Sequence, residues 1–196
     1  SLILLDEPFC SLDQQVRIRL RNELSEVLKS CNAAALFVTH DSQEALAICN
    51  RVAVMNNGNI HQFATPSQLV SHPHTPFVGK FVLQRNILPI SYINNKYQTP
   101  LGEVFFEQNL INNKIETIMF DHKSINLEFR SDGNSIVKSR EFMNEFWIIT
   151  INLDGYIIRV LHKNQVDFKI GDRCQASFKS LEPVLLYPGS INASFI

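Results

Sequence analysis

Two short apolar runs separated by an amphipathic helical pattern restrict the fold of this chain more than any other feature of its sequence. Leu2–Leu5 is continuously apolar, which is typical of a parallel strand buried on both faces. Over Gln14–Ser30 the apolar residues recur every three or four positions, which predicts one helix with Asp13 as its N-cap. A second apolar run, Ala34–Thr39, predicts the next strand. Strand, helix and strand in this order predict an α/β fold with a parallel sheet.

Ionisable residues follow both predicted strands at the point where each strand ends. Asp6 and Glu7 come directly after the first strand, and His40 comes directly after the second. Because ligands in open α/β sheets bind at the carboxyl ends of the strands, we expect these side chains to share one sheet edge. One carboxylate there could engage a magnesium ion while the other orients a water molecule. The structural alternatives are a simple turn at Asp6 to Pro8 and a structural His40.

Short-range signals define the elements that follow, up to residue 83. Residues 42–49 predict a short helix. The Asn-Gly pair at 57–58 lies between two apolar runs and predicts a β-hairpin. Thr65 and Pro66 predict the start of another helix, because proline is tolerated at the first helical position.

The pattern changes after about Arg85, where helical periodicity gives way to short strand-like runs separated by turn residues. The runs cover residues 115–120, 125–129, 146–153, 156–161 and 175–181. Short strands at this spacing predict a small β-barrel or sandwich. We therefore predict two domains, residues 1–83 with the parallel sheet and residues 84–196 with the barrel.

Composition argues against two classes of protein. The chain has 18 Lys plus Arg and 19 Asp plus Glu, a formal net charge of -1, so it lacks the basic surface typical of nucleic-acid binding. We expect no nucleic acid among its partners. Its apolar runs are far shorter than the roughly 20 residues of a membrane-spanning helix. No secretory segment opens the sequence, and we expect a cytosolic protein.

Three ordered motifs near the start of the chain resemble those of the ATP-binding cassette (ABC) ATPases. Residues 2–9 (LILLDEPF) resemble the Walker B strand, residues 11–13 (SLD) the D-loop, and residues 38–45 (VTHDSQEA) the switch-histidine segment. The resemblance continues through residues 51–66. The last part of the chain is similar to the barrel domain, called TOBE, of importer ATPases of the maltose, ferric-iron and sulfate type.

This resemblance implies a partial P-loop NTPase sheet followed by a small OB-like β-barrel, with ATP and Mg2+ as cofactors. It implies that Asp6 holds the magnesium ion through water and that Glu7 polarises the attacking water as general base. His40 would contact the γ-phosphate and stabilise the charge that develops on it. Ser11 and Asp13 would belong to the nucleotide site, with Asp13 acting across a dimer interface.

The resemblance also implies a set of partners. These are a second ATPase subunit in a homodimer, membrane permease subunits and, indirectly, a periplasmic or extracellular solute-binding protein. Such a subunit would lie at the cytoplasmic face of the inner membrane. Residues 86–89 (NILP) followed by residues 98–102 (QTPLG) are most similar to the ferric-iron branch, although Met119–His122 departs from the Ile-Arg-Pro-Glu of relatives. Sulfate, spermidine and sugar importers remain alternatives.

The sequence departs from the family in what it lacks. It contains no G-x-x-x-x-G-K-[ST] phosphate loop, no Leu-Ser-Gly-Gly-Gln signature and no upstream glutamine loop. The resemblance therefore implies that roughly the first half of the ATPase domain is missing. We expect apolar strand edges to be left uncovered, and we expect this chain alone neither to bind ATP tightly nor to hydrolyse it. The alternative is a non-catalytic remnant whose barrel binds a small oxyanion or a regulatory partner.

Overall fold

The computed structural model describes residues 2–31, 33–94, 96–106, 115–143, 145–163, 168–179, 183–187 and 191–194. The chain forms two compact units, residues 1–73 and residues 74–196. The sequence prediction put the boundary after residue 83, whereas the compact units separate after Pro73. The difference arises because a helix at Pro76–Leu83 packs on strands of the second unit. That the two units are the ATPase and barrel domains stays a prediction.

The first unit begins with alternating strands and helices. These are β1 (Leu2–Asp6), α1 (Gln14–Ser30), β2 (Ala34–Val38) and α2 (Ser42–Ile48). β1 and β2 pair in parallel, with Leu4 opposite Leu36 and Asp6 opposite Val38. The predicted order of elements, the parallel pairing and the bounds of α1 are thus confirmed.

One face of the β1–β2 sheet is apolar and exposed. Residues paired across neighbouring strands point to the same face, so Leu2, Leu4, Leu36 and Val38 form one continuous surface. Their exposed fractions are 65%, 68%, 58% and 49%. The prediction that Leu2–Leu5 is buried on both faces is therefore wrong for the described residues, because none of them covers this face.

A hairpin and a short helix complete the first unit. β3 (Val52–Asn56) and β4 (Asn59–Ala64) pair antiparallel, and α3 (Pro66–Ser71) follows. The two turn residues both have positive φ, 47° at Asn57 and 75° at Gly58, as a type I′ turn requires. Thr65 and Gln68 form a reciprocal capping box at the start of α3. Both local predictions are confirmed.

Among its described residues, the second unit starts with α4 (Pro76–Leu83) and continues with strands and one short 3-10 helix, η1 (His122–Ser124). Its strands are β5 (Asn86–Pro89), β6 (Ser91–Ile93), β7 (Lys96–Thr99), β8 (Gly102–Val104), β9 (Thr117–Phe120), β10 (Ile125–Phe129), β11 (Ser135–Met143), β12 (Phe146–Leu153), β13 (Tyr156–His162), β14 (Arg173–Phe178), β15 (Pro183–Tyr187) and β16 (Ile191–Ser194). They form a five-stranded sheet in the order β10-β14-β11-β12-β13, a four-stranded sheet in the order β16-β15-β9-β5, and a three-stranded sheet in the order β6-β7-β8.

The described residues therefore form a mixed α/β structure, but the predicted closed barrel is not found among them. In the five-stranded sheet the edge strands β10 and β13 lie in contact, yet no hydrogen-bonded ladder joins them within the described part of the chain. At the edge of β13 that does not pair with β12, a side chain binds the backbone. Asn86 Nδ2 donates to the Arg159 carbonyl at 2.7 Å, and the Arg159 amide donates to Asn86 Oδ1 at 2.8 Å. The OB-like, TOBE assignment of this unit stays a prediction.

The large hydrophobic core lies in the second unit. Ile118, Ile149, Ile151 and Leu153 are among its fully buried side chains. By contrast, α1 in the first unit contains no fully buried residue. None of the helices in the described ranges has both the length and the apolar character needed to cross a membrane.

Candidate functional site

The structure brings Glu7 and His40 together at the carboxyl ends of β1 and β2. His40 Nδ1 lies 2.8 Å from Glu7 Oε1, and the His40 backbone amide donates to the same oxygen at 3.0 Å. The Glu7 amide donates to the Val38 carbonyl at 2.9 Å, which continues the strand pairing for one residue beyond β1. Parallel pairing thus aligns the two strand ends and brings the side chains of Glu7 and His40, which follow them, into direct contact.

Glu7 occupies an unusual backbone conformation for a residue with a side chain. Its φ is 47°, in the left-handed region that is sparsely populated by residues other than glycine. Such conformations cluster at functional sites, where surrounding contacts hold them in place. Here the contacts are the Val38 carbonyl behind the Glu7 amide and the two donors of His40 on its carboxylate.

The pair also sets the charge of the imidazole. The hydrogen bond to Glu7 and the negative charge of that carboxylate raise the pKa of His40 above its ordinary value of 6.5, with smaller contributions from Asp41 and Glu44. The His40 side chain is 77% exposed, so its ring remains accessible. With Nδ1 directed at Glu7, a protonated ring presents Nε2–H as a donor to an anion. The arrangement therefore combines a carboxylate with an imidazole whose protonated form is a cationic donor, at one sheet edge.

Asp6 lies beside this pair but does not join it. It is the last residue of β1 and is exposed, and no hydrogen bond or ion pair engages its carboxylate within the described residues. No group of three or more potential metal ligands exists among those residues either. One exposed carboxylate fits a magnesium ion that keeps its waters and takes phosphate oxygens, and it does not form a closed metal site.

Ser11 and Asp13 lie in the segment between β1 and α1. Asp13 Oδ1 accepts hydrogen bonds from the amides of Gln15 at 3.1 Å and Val16 at 3.0 Å, which confirms its predicted role as the N-cap of α1. The Ser11 hydroxyl is exposed and lies 3.6 Å from the thiol of Cys10. No hydrogen bond connects Ser11 or Asp13 to the Glu7–His40 pair in the part of the chain that the structure describes.

A second polar cluster flanks His40, and sequence reasoning did not find it. Thr39 Oγ1 donates to Glu44 Oε2 at 2.7 Å and accepts from the Asp41 amide at 3.0 Å. Arg17 lies 3.4 Å from Asp41 Oδ2 through Nη1 and 3.7 Å from Glu44 Oε1 through Nε. The signal in the sequence was Glu44 itself. It is a charged residue in a short helix, and a charge that is buried there needs a partner of opposite charge.

Comparison with known proteins gives several relatives, although no family model matches the chain. The Fe(3+) ions import ATP-binding protein of Haemophilus influenzae (strain 86-028NP) is 32% identical over 178 residues, which are 88% of this chain and 51% of the relative. A sulfate/thiosulfate import ATP-binding protein of Rhizobium meliloti is 45% identical over 107 residues, 55% of this chain and 29% of the relative.

A third relative matches nearly as much of the chain as the Haemophilus protein does. The spermidine/putrescine import ATP-binding protein of Mycoplasma genitalium is 32% identical over 174 residues, 85% of this chain and 31% of the relative. These homologues are all ATP-binding subunits of import systems, and they are named for different cargoes. The chain spans about half the length of the Haemophilus relative.

Proposed function

We propose that this chain is part of the ATP-binding subunit of an ABC importer, in which Glu7 and His40 act on the terminal phosphate of ATP. The observation that carries the proposal is the 2.8 Å contact between these two side chains at the ends of paired parallel strands. The relatives that match most of the chain are import ATP-binding proteins, which supports the proposal. The whole subunit would drive solute import from the cytoplasmic face of the inner membrane.

In this proposal Glu7 is the general base. Its Oε1 is held by the ring and the amide of His40, whereas Oε2 makes no hydrogen bond within the described residues. Oε2 is therefore the oxygen that accepts a proton from an attacking water. His40 keeps Nδ1 on Glu7 and directs Nε2–H to a γ-phosphate oxygen, where a positive ring stabilises negative charge that develops in phosphoryl transfer.

Asp6 is the residue proposed to hold Mg2+, through water. The fit rests on its exposed, unpaired carboxylate one residue before Glu7. The ion, when bound, neutralises negative charge on the phosphates. Asp6 supplies one negative charge near the ion and orients the water molecules between them.

We propose a homodimer of such subunits that binds membrane permease subunits. Ser11 belongs to the nucleotide site in this proposal, and Asp13 acts across the dimer interface. Asp13 uses Oδ1 to cap α1, so the cap fixes the position of the segment that would cross the interface. For the cargo we propose ferric iron, delivered through a solute-binding protein. The support is the NILP and TPLG segments of the sequence. The relatives named for iron, sulfate and polyamines do not by themselves favour one cargo.

The chain alone is proposed to be inactive, because the sequence has no glycine-rich loop and lysine to hold the phosphates. Each charge-assisted hydrogen bond of such a loop is worth ~1.5–3 kcal/mol, so losing several removes useful affinity for ATP. A phosphate-release assay on the purified chain should therefore show no turnover. Turnover that Glu7→Gln removes would contradict this part of the proposal.

The catalytic proposal is tested in a fusion protein. The segment of the Haemophilus influenzae relative that lies outside the matched stretch is fused to this chain, and phosphate release is measured. We expect ATP hydrolysis that Glu7→Gln lowers by about 10²–10⁴-fold, the usual contribution of a general base. Glu23→Gln is the matched control, since Glu23 is 58% exposed on α1. A folded, ATP-binding fusion in which Glu7→Gln and Glu23→Gln behave alike would contradict the role of Glu7.

A further inference from the structure

Arg17 connects three segments around the Glu7–His40 pair. Its Nη2 donates to the Leu12 carbonyl at 3.2 Å, its Nη1 lies 3.4 Å from Asp41 Oδ2, and its Nε lies 3.7 Å from Glu44 Oε1. Leu12 belongs to the segment between β1 and α1, Asp41 caps α2, and Glu44 lies within α2. One guanidinium therefore holds the residues on both sides of the candidate site.

Glu44 is the part of this cluster that most needs a partner. Its side chain is 4% exposed, and a carboxylate buried without compensation is strongly unfavourable. Arg17 supplies the positive charge, and Thr39 supplies the hydroxyl donor at 2.7 Å. Thr39 in turn accepts from the Asp41 amide. The two residues that flank His40 in sequence are thus both fixed by the buried Glu44 and its Arg17 counter-ion.

This fixation bears on His40 itself. Its backbone amide and its ring Nδ1 both reach the same oxygen of Glu7, which requires one particular backbone conformation at His40. That conformation is set by the turn from Thr39 to Asp41. A planar guanidinium can contact two carboxylates and a carbonyl at once, whereas a lysine ammonium acts as a single point charge.

We propose that Arg17 is a positioning residue for His40, acting through Glu44 and Thr39 to hold the imidazole on Glu7. The proposal rests on the proposed function of His40, but it concerns geometry that the chain contains without nucleotide. A purely structural role, in which Arg17 only joins α1 to α2, would leave the Glu7–His40 contact unchanged in any variant that folds.

The test measures the titration midpoint of the His40 ring by NMR in the full 196-residue chain and its variants. Loss of positioning separates the ring from Glu7, so Arg17→Gln should shift the midpoint downward toward 6.5. If Arg17 contributed only its positive charge, its removal would shift the midpoint upward. The negative charges of Asp41, Glu44 and Glu7, which favour the protonated ring, would then no longer be offset by the guanidinium. The sign of the shift therefore separates the two effects.

Thr39→Val is the second variant, because it removes the hydroxyl link at nearly constant volume and leaves every charge in place. We expect it also to shift the His40 midpoint downward, and Arg17→Lys to give a smaller shift than Arg17→Gln. Arg19→Gln is the matched control: Arg19 pairs with Glu23 on the exposed face of α1, 72% and 58% exposed, and its loss should leave the midpoint unchanged.

The outcomes are distinct. Downward shifts in Arg17→Gln and Thr39→Val, with no shift in Arg19→Gln, support the proposal. An unchanged or raised midpoint in either variant overturns it, and if Arg17→Gln does not fold, Thr39→Val decides alone. The two proposals can also fail separately. If the midpoint shifts downward in these variants, but the ATP-binding fusion hydrolyses ATP equally well with Glu7→Gln, the positioning role of Arg17 stands and only the proposed catalytic function fails.

Discussion

The two units of the chain differ in how completely they bury their strands. In the first unit, Leu2 and Leu4 of β1 are 65% and 68% exposed, whereas Ile149 and Ile151 of β12 in the second unit are fully buried. The residues proposed to carry chemistry all lie in the first, less buried unit. The comparison indicates that the second unit contains the larger apolar core, while the first contains a site whose geometry depends on a few polar contacts.

The largest expected effect contrasts one leucine from each unit. Leu153 in β12 is fully buried, and Leu153→Ala should lower the free energy of unfolding of the second unit by about 2–5 kcal/mol, since it removes apolar contacts and leaves a cavity. Leu4→Ala in β1 should change stability by no more than about 0.5 kcal/mol, because that side chain is already exposed.

Urea unfolding measures both variants. The fluorescence of the single tryptophan, Trp147 in β12, follows the second unit, and far-UV circular dichroism follows the helices, most of which lie in the first. Equal decreases in the free energy of unfolding for Leu153→Ala and Leu4→Ala would contradict the difference in burial between the two units.

The next effect concerns the side chain that meets the edge of β13. Asn86 is 5% exposed and makes both hydrogen bonds to the backbone of Arg159. Asn86→Ala leaves that amide and carbonyl without these partners, so we expect a loss of about 1–3 kcal/mol. Asn126→Ala is the control, because the Asn126 side chain donates to the exposed Glu128 and its loss should change stability little. Equal urea midpoints for the two variants would show that the Asn86 contact adds nothing to the second unit.

A smaller effect is expected at the start of α1. Asp13→Ala removes an acceptor from the amides of Gln15 and Val16 and should destabilise the first unit by about 0.5–2 kcal/mol. Ser11→Ala should be nearly neutral, because its hydroxyl is exposed and its contact is with the thiol of Cys10 at 3.6 Å. Thermal unfolding followed by circular dichroism compares the two. A neutral Asp13→Ala would mean that the first unit does not depend on this cap.

The smallest effect is the pH dependence of the Glu7–His40 pair. Since the pKa of His40 is raised in the folded chain, the pair stabilises the first unit fully below the unfolded value of 6.5. This contribution is lost as the pH rises through the folded pKa. His40→Gln should remove that dependence while leaving the second unit unchanged, which urea unfolding at several pH values would measure. The opposite result would contradict the raised pKa of His40: a stability of the first unit that increases as the pH rises above 6.5 in the parent chain but not in His40→Gln.

Local signals predicted much of the first unit. The period of apolar residues predicted both ends of α1, and the turn and capping residues at Asn57, Gly58 and Thr65 predicted the hairpin and α3. These features depend on residues close in sequence, so a single sequence contains them. The proximity of Glu7 and His40 followed from parallel pairing, although the shared oxygen that joins them did not.

The features that sequence reasoning missed depend on distant residues. Strand β11 (Ser135–Met143) was not predicted, because charged side chains such as Lys138 and Arg140 interrupt its apolar pattern. It lies between β14 and β12, and only that pairing makes it a central strand. Likewise, the partners of Arg17 lie on another helix, and the exposure of Leu4 depends on what covers the sheet rather than on the residue itself.

At Glu7 the backbone and the side chain favour different residues: the left-handed φ favours glycine, whereas the contact with His40 needs a carboxylate. Glycine would adopt a φ of 47° without steric conflict, so Glu7→Gly relaxes the main chain while deleting the carboxylate that holds His40. A lineage that no longer needed the chemistry would gain by drifting toward glycine there. Retention of an acidic residue at this site across descendants of the chain would thus be a record of continued use.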